Sequence, residues 1–180
     1  MWLLVAMACA EPKAPAPPEL VAAQQDAQRG EHLALRNDML LALRDKLGPS
    51  YDLEPPGLAS ADIAAGKVLY AAHCLRCHGE TGRGGPEARG LSPRPSDLSH
   101  PGKATFFSDA GRLEIIRAGF TGSAMQGYAV GQGAGADLSE EQILDLYAYV
   151  RTLRRPAQPG RELRERPGDG VIEREGAGSE

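Results

Sequence analysis

The sequence predicts an all-α fold with three main helices. In the main domain, three segments carry apolar side chains at helical spacing, and no segment of the chain alternates apolar and polar residues as a half-buried strand would. The chain also holds 22 glycines and 14 prolines among its 180 residues, so much of it should be turn and linker. This length favours one domain of about 100 residues plus extensions.

Composition narrows the classes of partner. The formal net charge is −4 and no stripe of lysine and arginine is present, so we expect no nucleic acid among the partners. The chain has few aromatic residues with which to build a core: three Phe, five Tyr and one Trp. A small, loop-rich domain of this kind often needs a metal or a cofactor to complete its core.

Residues 1–19 read as the end of an export signal followed by a linker. The apolar run 1–8 ends in small residues before Cys9, which resembles a bacterial lipoprotein signal with Cys9 as the lipidated residue. Ala6 stands where that signal usually has Leu, and the apolar run is short. The Pro-Ala stretch 11–18 fits a spacer. We expect export to the periplasmic side of a bacterial membrane and a lipid anchor on Cys9; the alternative is an incidental cysteine.

Residues 20–57 are predicted to form a helical extension and a linker. Residues 20–47 read as helix, with a break at Gly30, and its leucines share one face: Leu33, Leu40, Leu43 and Leu47. Gly48 and Pro49 are good stop signals. We expect this helix to pack on the main domain; the alternative is that it docks on a partner subunit.

Residues 58–155 hold the three main helices. The first should begin near Ser60 as its N-cap and run into Cys74, and the second should run from about Ser108 to Gly119. The third is predicted by a capping box of Ser139 and Gln142. Its apolar face follows at helical spacing, formed by Ile143, Leu146, Tyr147, Val150 and Leu153, and Pro156 ends it.

The last segment, residues 156–180, is predicted to be a disordered tail. It is rich in Pro, Gly, Glu and Arg and has hardly any large apolar residue, so it cannot bury enough surface to offset the entropy of ordering. The sequence therefore divides into residues 1–19, 20–57, 58–155 and 156–180.

The stretch "AAHCLRCHGETGRGG" holds two of the three cysteines, Cys74 and Cys77, and such a pair suits zinc, a redox dithiol or haem. A structural zinc site needs four ligands, usually in two close pairs. No second pair exists, since the other candidates are scattered: Cys9, His32, His73, His78 and His100. A thioredoxin-like dithiol belongs at the head of a helix in a βαβ unit. Here the motif follows the end of a predicted helix.

Haem c is the cofactor that the spacing favours. Cys-x-x-Cys-His is the attachment signature of c-type haem. Two thiols three positions apart can reach the two vinyl groups on one edge of the porphyrin, and His78 is then placed under the iron as an axial ligand. Cys74 and Cys77 are therefore the predicted attachment residues of one covalent haem.

The surroundings of this motif resemble the class I c-type cytochromes of bacterial respiratory chains. Four pieces occur in the order of that family: "AAGKVLYAAHCLRCHGETGRGG", "PRPSDLS", "RAGFTGSAMQGYA" and "LSEEQILDLYAYVRTL". The resemblance covers residues 58–155 and implies a class I cytochrome c fold around one covalent haem. It also implies that a helix with Gly66 and Tyr70 crosses the last helix near an aromatic residue, which is Tyr147 or Tyr149.

The same resemblance implies that Met125 is the second axial ligand of the iron. Met125 stands in a glycine-rich loop after the second helix, although Gln126 replaces the proline that often follows such a methionine. A thioether favours ferrous iron and raises the reduction potential. His100 is the rival ligand. The family further implies that a proline carbonyl orients His78, and both Pro93 and Pro95 are candidates.

An iron with two protein ligands has no open position and suits one-electron transfer. We therefore expect an electron carrier, either a tethered cytochrome or the haem subunit of a respiratory oxidoreductase, and not an enzyme by itself. Its partners would be redox proteins, among them a membrane respiratory complex. The alternatives are a haem enzyme or gas sensor with a displaceable sixth ligand and, less favoured, a zinc-stapled interaction module.

Overall fold

The computed structural model describes the backbone of residues 18–156, and their side chains except those of residues 18–26, 29, 104, 134 and 135. The fold is all-α, as predicted. The predicted anchor at Cys9 and the predicted tail lie outside the described residues. The described helices are α1 (Pro18–Leu47), α2 (Ile63–His73), α3 (Leu75–His78), α4 (Pro101–Thr105), α5 (Asp109–Ala118) and α6 (Glu140–Thr152). Two short strands are β1 (Gly127–Ala129) and β2 (Gly133–Leu138), and 3-10 turns occupy Gly48–Asp52, Leu58–Ser60 and Pro86–Gly90.

The centre of the fold is the crossing of α2 and α6. Gly66 of α2 is buried against α6, where an added Cβ would overlap the carbonyl oxygen of Asp145. Tyr70 lies one turn further, with its ring centroid 5.2 Å from that of Tyr149. The aromatic partner in the last helix is therefore Tyr149, whereas Tyr147 faces α5. The main core lies around this crossing and includes Leu113, Ile143 and Leu146.

The first main helix starts later than predicted. Asp62 is its N-cap, and its carboxylate accepts hydrogen bonds from the N–H groups of Ala64 and Ala65. Ser60 instead ends a 3-10 turn and donates its hydroxyl to the carbonyl of Gly57. The prediction of Ser60 as N-cap was wrong because two cap residues stand close together, and Asp is as good a cap as Ser.

The predicted start of α5 and the predicted capping box of α6 are confirmed. The hydroxyl of Ser108 accepts from the N–H of Gly111, and Ser139 and Gln142 form both bonds of the capping box. Leu138 and Ile143 flank that cap and are both buried in the main core. These two helix starts are fixed by local side-chain chemistry, which is why the sequence alone could locate them.

Helix α1 runs through Gly30 without the predicted break. Its inner face packs against α5 in a second apolar cluster, whose buried members are Leu43, Tyr51, Phe107 and Ile115. The ammonium of Lys46 pairs with the carboxylate of Glu114, which is 8% exposed, at 2.6 Å. None of the described helices is both long and apolar enough to cross a bilayer.

The two strands are a feature that the sequence did not predict. Strands β1 and β2 pair in parallel with an irregular register, and Gly127 lies opposite Gly133. Their segments are glycine-rich and lack the alternation of a half-buried strand, so the usual signal was absent. β1 directly follows the predicted ligand Met125.

A polar network joins the start of α5 to the end of α6. The carboxylate of Asp109 accepts hydrogen bonds from the Tyr147 hydroxyl at 2.6 Å and from the Arg154 guanidinium at 3.0 Å, and Arg151 lies 3.5 Å away. Burial acts to raise the pKa of Asp109, but these hydrogen bonds and positive charges outweigh it and hold the pKa below its ordinary value. The ionised carboxylate therefore stabilises the folded state.

We expect Asp109→Asn to lower the free energy of unfolding by about 1–3 kcal/mol at neutral pH. Because the pKa of Asp109 is depressed in the folded state, its contribution is fully present above the pKa of the unfolded chain, about 3.9. It is lost as the pH falls through the lower folded value. Denaturant unfolding of both proteins between neutral pH and strong acid measures the difference.

The matched control is Asp38→Asn, since Asp38 is exposed on α1. That variant should follow the wild type closely at every pH. A constant gap between Asp109→Asn and wild type down to strong acid would contradict the assigned role of the carboxylate.

Candidate functional site

The Cys-x-x-Cys-His motif occupies the junction of α2 and the one-turn helix α3. The N–H of Cys74 still bonds the carbonyl of Tyr70, at 2.9 Å, and the Cys74 carbonyl accepts the N–H of His78 at 2.8 Å. Cys74 is thus the C-cap residue of α2 and the N-cap residue of α3. The structure brings the two thiols and the imidazole together within a single helical turn.

Both thiols are free and half-buried. Cys74 packs against the main core. Burial, with a smaller effect of Cys77, raises the pKa of the Cys74 thiol to about 12. A redox dithiol needs a lowered thiol pKa, so this environment argues against that alternative.

The imidazole of His78 is mostly buried. Burial lowers its pKa, and the backbone of Ser96 opposes that effect, so the ring is neutral at pH 7, as a metal ligand must be. Its Nδ1 atom is buried and makes no hydrogen bond of good geometry among the described residues. A ligating histidine commonly donates its other N–H to a carbonyl. The backbone of Ser96 is the candidate partner here. Ser96 directly follows Pro95, one of the two prolines that the family resemblance offered for this role.

The loop after the motif folds back on it. The N–H groups of Gly84 and Gly85 bond the carbonyls of His78 and Cys77, at 2.8 and 2.9 Å. The hydroxyl of Tyr70 donates to the carbonyl of Gly79 at 2.6 Å. The carbonyls at the end of α3 are therefore satisfied by protein groups, and the motif is held in one conformation.

Met125 lies in a tight loop, residues 119–127, that we call the ligand loop. Its carbonyl accepts the N–H of Phe120 at 2.8 Å, and its N–H donates to the hydroxyl of Ser123 at 3.1 Å. Gly119 and Gln126 form a β-bridge across the base of the loop. The half-buried Met125 side chain packs against both apolar clusters, including the main core that Cys74 also contacts.

Tyr128 connects the ligand loop to the cysteine motif. Its hydroxyl donates to the carbonyl of His73 at 3.1 Å, and its ring centroid lies 5.8 Å from that of His73. Burial raises the pKa of Tyr128, and the sulfurs of Cys74 and Cys77 raise it further. The segment after Met125 therefore lies beside both thiols.

The other histidine and zinc candidates do not assemble into a site. The Nδ1 atom of His100 accepts the N–H of Lys103, at 3.4 Å, at the start of α4. In the part of the chain that the structure describes, no three His, Cys, Asp or Glu side chains are grouped to hold a metal ion. Two neighbouring thiols with a buried neutral imidazole fit a covalent haem better than zinc.

The comparison with protein families decides the class of this site. The family model described as cytochrome c matches residues 63–154, which include the motif, the ligand loop and α6. The chain belongs to the cytochrome c family. Its cofactor is a covalently bound c-type haem, the group with which cytochromes c transfer electrons. The all-α architecture is that of a class I cytochrome c.

Three curated proteins are similar to this cytochrome c. Cytochrome c-554(547) of Halothiobacillus neapolitanus is 33% identical over 97 residues, which is 53% of the chain and 100% of that protein. Thiosulfate dehydrogenase of Stutzerimonas stutzeri is 31% identical over 112 residues, 62% of the chain and 34% of that protein. The cytochrome bc1 complex cytochrome c subunit of Corynebacterium diphtheriae is 28% identical over 135 residues, 74% of the chain and 42% of that subunit. No solved structure gave a significant match.

Proposed function

We propose that this cytochrome c is a one-electron carrier whose haem is attached to Cys74 and Cys77 and whose iron is bound by His78 and Met125. The observation that carries the proposal is the junction of α2 and α3, which holds two free thiols beside a buried neutral imidazole. Tyr128 adds support, because its hydroxyl links the segment after Met125 to His73, next to Cys74.

Each ligand has a physical role. Neutral His78 is the imidazole ligand, and its buried position keeps water and protons from competing for the ring. Met125 supplies a soft, neutral thioether, which raises the reduction potential. When bound, haem iron supplies the change between ferric and ferrous states. Two protein ligands leave no position for a substrate, so the chain's task is to hold and insulate the haem.

The chain is proposed to work in a respiratory oxidoreductase system, as a tethered carrier or as a haem subunit. Two relatives support this, since one is a thiosulfate dehydrogenase and the other a subunit of a bc1 complex. The chain spans about a third to two fifths of the length of those two proteins. We further propose that residues 58–155 are the haem domain, that 20–57 are its extension, and that 156–180 are a tail.

Export and anchoring complete the proposal. Haem of this type is attached outside the cytoplasm in the family that the sequence resembles, so the chain is proposed to reach the periplasmic side of a bacterial membrane. A lipid on Cys9 would hold the carrier near membrane complexes, with the Pro-Ala stretch 11–18 as its spacer.

Haem spectroscopy and a redox titration test this function. The protein is produced in a host that matures c-type cytochromes, and its Soret absorption and pyridine haemochrome spectrum are recorded. We expect one haem per chain that stays on the polypeptide in denaturant, and a fully reversible one-electron titration. A colourless protein, or a haem that extraction removes, contradicts the attachment at Cys74 and Cys77.

Met125→Ala is expected to open one coordination position of the iron. The ferric protein should change to a high-spin spectrum and lose the weak red charge-transfer band that reports a thioether on ferric iron. Its reduction potential should also fall, because a ligand that favours ferrous iron is gone. Optical and electron paramagnetic resonance spectra measure the change.

Two variants serve as controls for Met125→Ala. Gln126→Ala changes the exposed neighbour and should keep the wild-type spectrum. His100→Ala removes the rival ligand and should keep it too. If His100→Ala, and not Met125→Ala, produced the high-spin spectrum, the sixth ligand would be His100.

A further inference from the structure

Helix α1 lies directly against the ligand loop. Gly122, near the tip of the loop, has a φ of +78°, and a Cβ added there would lie 2.7 Å from the Cδ2 atom of Leu35. The half-buried Leu35 side chain therefore covers the loop where glycine leaves room for it. The contact joins two residues that are far apart in sequence and that no local pattern relates.

The methionine of the loop shares an apolar cluster with α1. Met125 packs against the second apolar cluster, to which α1 contributes Met39, Leu40, Leu43 and Leu47. Phe120, at the start of the ligand loop, packs against the same cluster. The predicted ligand, the start of the ligand loop and the inner face of α1 therefore belong to one apolar cluster, and Met125 also packs against the main core.

Several contacts hold α1 in this position. Lys46 pairs with the nearly buried Glu114 of α5 at 2.6 Å. The guanidinium of Arg36 lies 3.9 Å from the ring centroid of Phe106. The hydroxyl of Tyr51, in the turn after α1, accepts the N–H of Ser108 at 3.1 Å, which ties that turn to the start of α5.

We propose that α1 clamps the ligand loop and that Leu35 is a positioning residue for the bond between Met125 and the iron. The proposal rests on Met125 being the axial ligand, as proposed above. Inside the loop, hydrogen bonds at Phe120, Ser123 and Gly119 hold Met125 in place. Opening of the loop removes the sulfur from the iron, so any contact made only by the closed loop strengthens ligation.

The test is the rate at which imidazole displaces the sulfur from the ferric protein, followed by loss of the red charge-transfer band. We expect Leu35→Ala to react about tenfold faster than wild type, which corresponds to about 1.4 kcal/mol less stabilisation of the closed loop. The reduction potential should fall as well. Leu35→Met conserves volume and should restore a rate within about twofold of wild type.

The matched control is Leu41→Ala on the same helix, because Leu41 is 59% exposed. Its displacement rate should stay within about twofold of wild type. If Leu35→Ala does not yield holoprotein, Leu35→Val removes one methylene and should still raise the rate by about threefold. Amide hydrogen exchange of the ligand loop in the holoprotein should rise in the same order as the displacement rate.

The outcomes separate this proposal from the proposed function. If the wild-type protein lacks the red charge-transfer band, Met125 is not the ligand, and the proposed clamp is then wrong as well. A wild-type protein that has the band, with an unchanged rate in Leu35→Ala, overturns the clamp alone. A loss of global stability without faster displacement assigns Leu35 to packing only and also overturns the clamp.

Discussion

Gly66→Ala is expected to destabilise the protein by about 3 kcal/mol, although alanine is the better helix former. In an open helix, the change should stabilise by up to about 1 kcal/mol. At Gly66, however, the new Cβ would overlap the backbone carbonyl of Asp145 in α6. A backbone atom inside a helix cannot rotate away, so the two helices must separate. Guanidinium unfolding of the holoprotein, followed by circular dichroism, measures the loss.

The matched control for this variant is Gly30→Ala. Gly30 also lies inside a helix, but an added Cβ would have no atom within 4 Å. Gly30→Ala should therefore stabilise the protein slightly, by up to about 1 kcal/mol. Opposite signs for the same chemical change would show that the crossing of α2 and α6, and not helix propensity, decides the effect. If Gly66→Ala were as stable as wild type, the close approach of the helices would be wrong.

The crossing also matters for the site, because α2 ends at the cysteine motif. Asp62, the N-cap residue of α2, donates its N–H to the carboxylate of Asp145 at 2.7 Å, and the ring of Tyr70 packs at a tilt against that of Tyr149 further along. The crossing therefore fixes α2 at both ends of the contact. Separated helices would displace Cys74 relative to the main core, so Gly66→Ala should also lower the yield of holoprotein.

The parts of the fold that the sequence could predict are those set by neighbours in the chain. The caps at Ser108 and Ser139 use side chains three positions from the bonded N–H, so a short window holds all the information. Gly30 shows the opposite case. A glycine weakens a helix by about 1 kcal/mol, and α1 continues through it nonetheless.

The same division applies to the candidate site. Cys74, Cys77 and His78 are nearly contiguous, so their chemistry could be read directly from the sequence. Predicting Met125 as a ligand required the family resemblance, because Met125 and Cys74 are far apart in sequence and only tertiary structure brings both to the main core. The contact of Leu35 with Gly122 had no signal in the sequence, because neither residue type nor spacing identifies a partner so far along the chain.

Replacing both Cys74 and Cys77 by serine is expected to remove essentially all covalent haem. Serine keeps the size of each side chain but forms no thioether, and the raised pKa of Cys74 shows how apolar its position is. A small, loop-rich domain without its cofactor loses part of its core, so the variant should also accumulate poorly. Haem staining after denaturing electrophoresis, with the protein amount measured by immunoblot, separates these two effects.

The matched control is Cys9→Ser, which removes the remaining cysteine of the chain. Its haem stain per amount of protein should equal that of wild type, while its share in the membrane fraction should fall if Cys9 carries the lipid. The two cysteine changes therefore test attachment and anchoring independently. Undiminished staining in Cys74→Ser/Cys77→Ser would refute the attachment residues. An unchanged membrane fraction in Cys9→Ser would refute the anchor and leave the proposed attachment at Cys74 and Cys77 untouched, since haem staining measures that attachment separately.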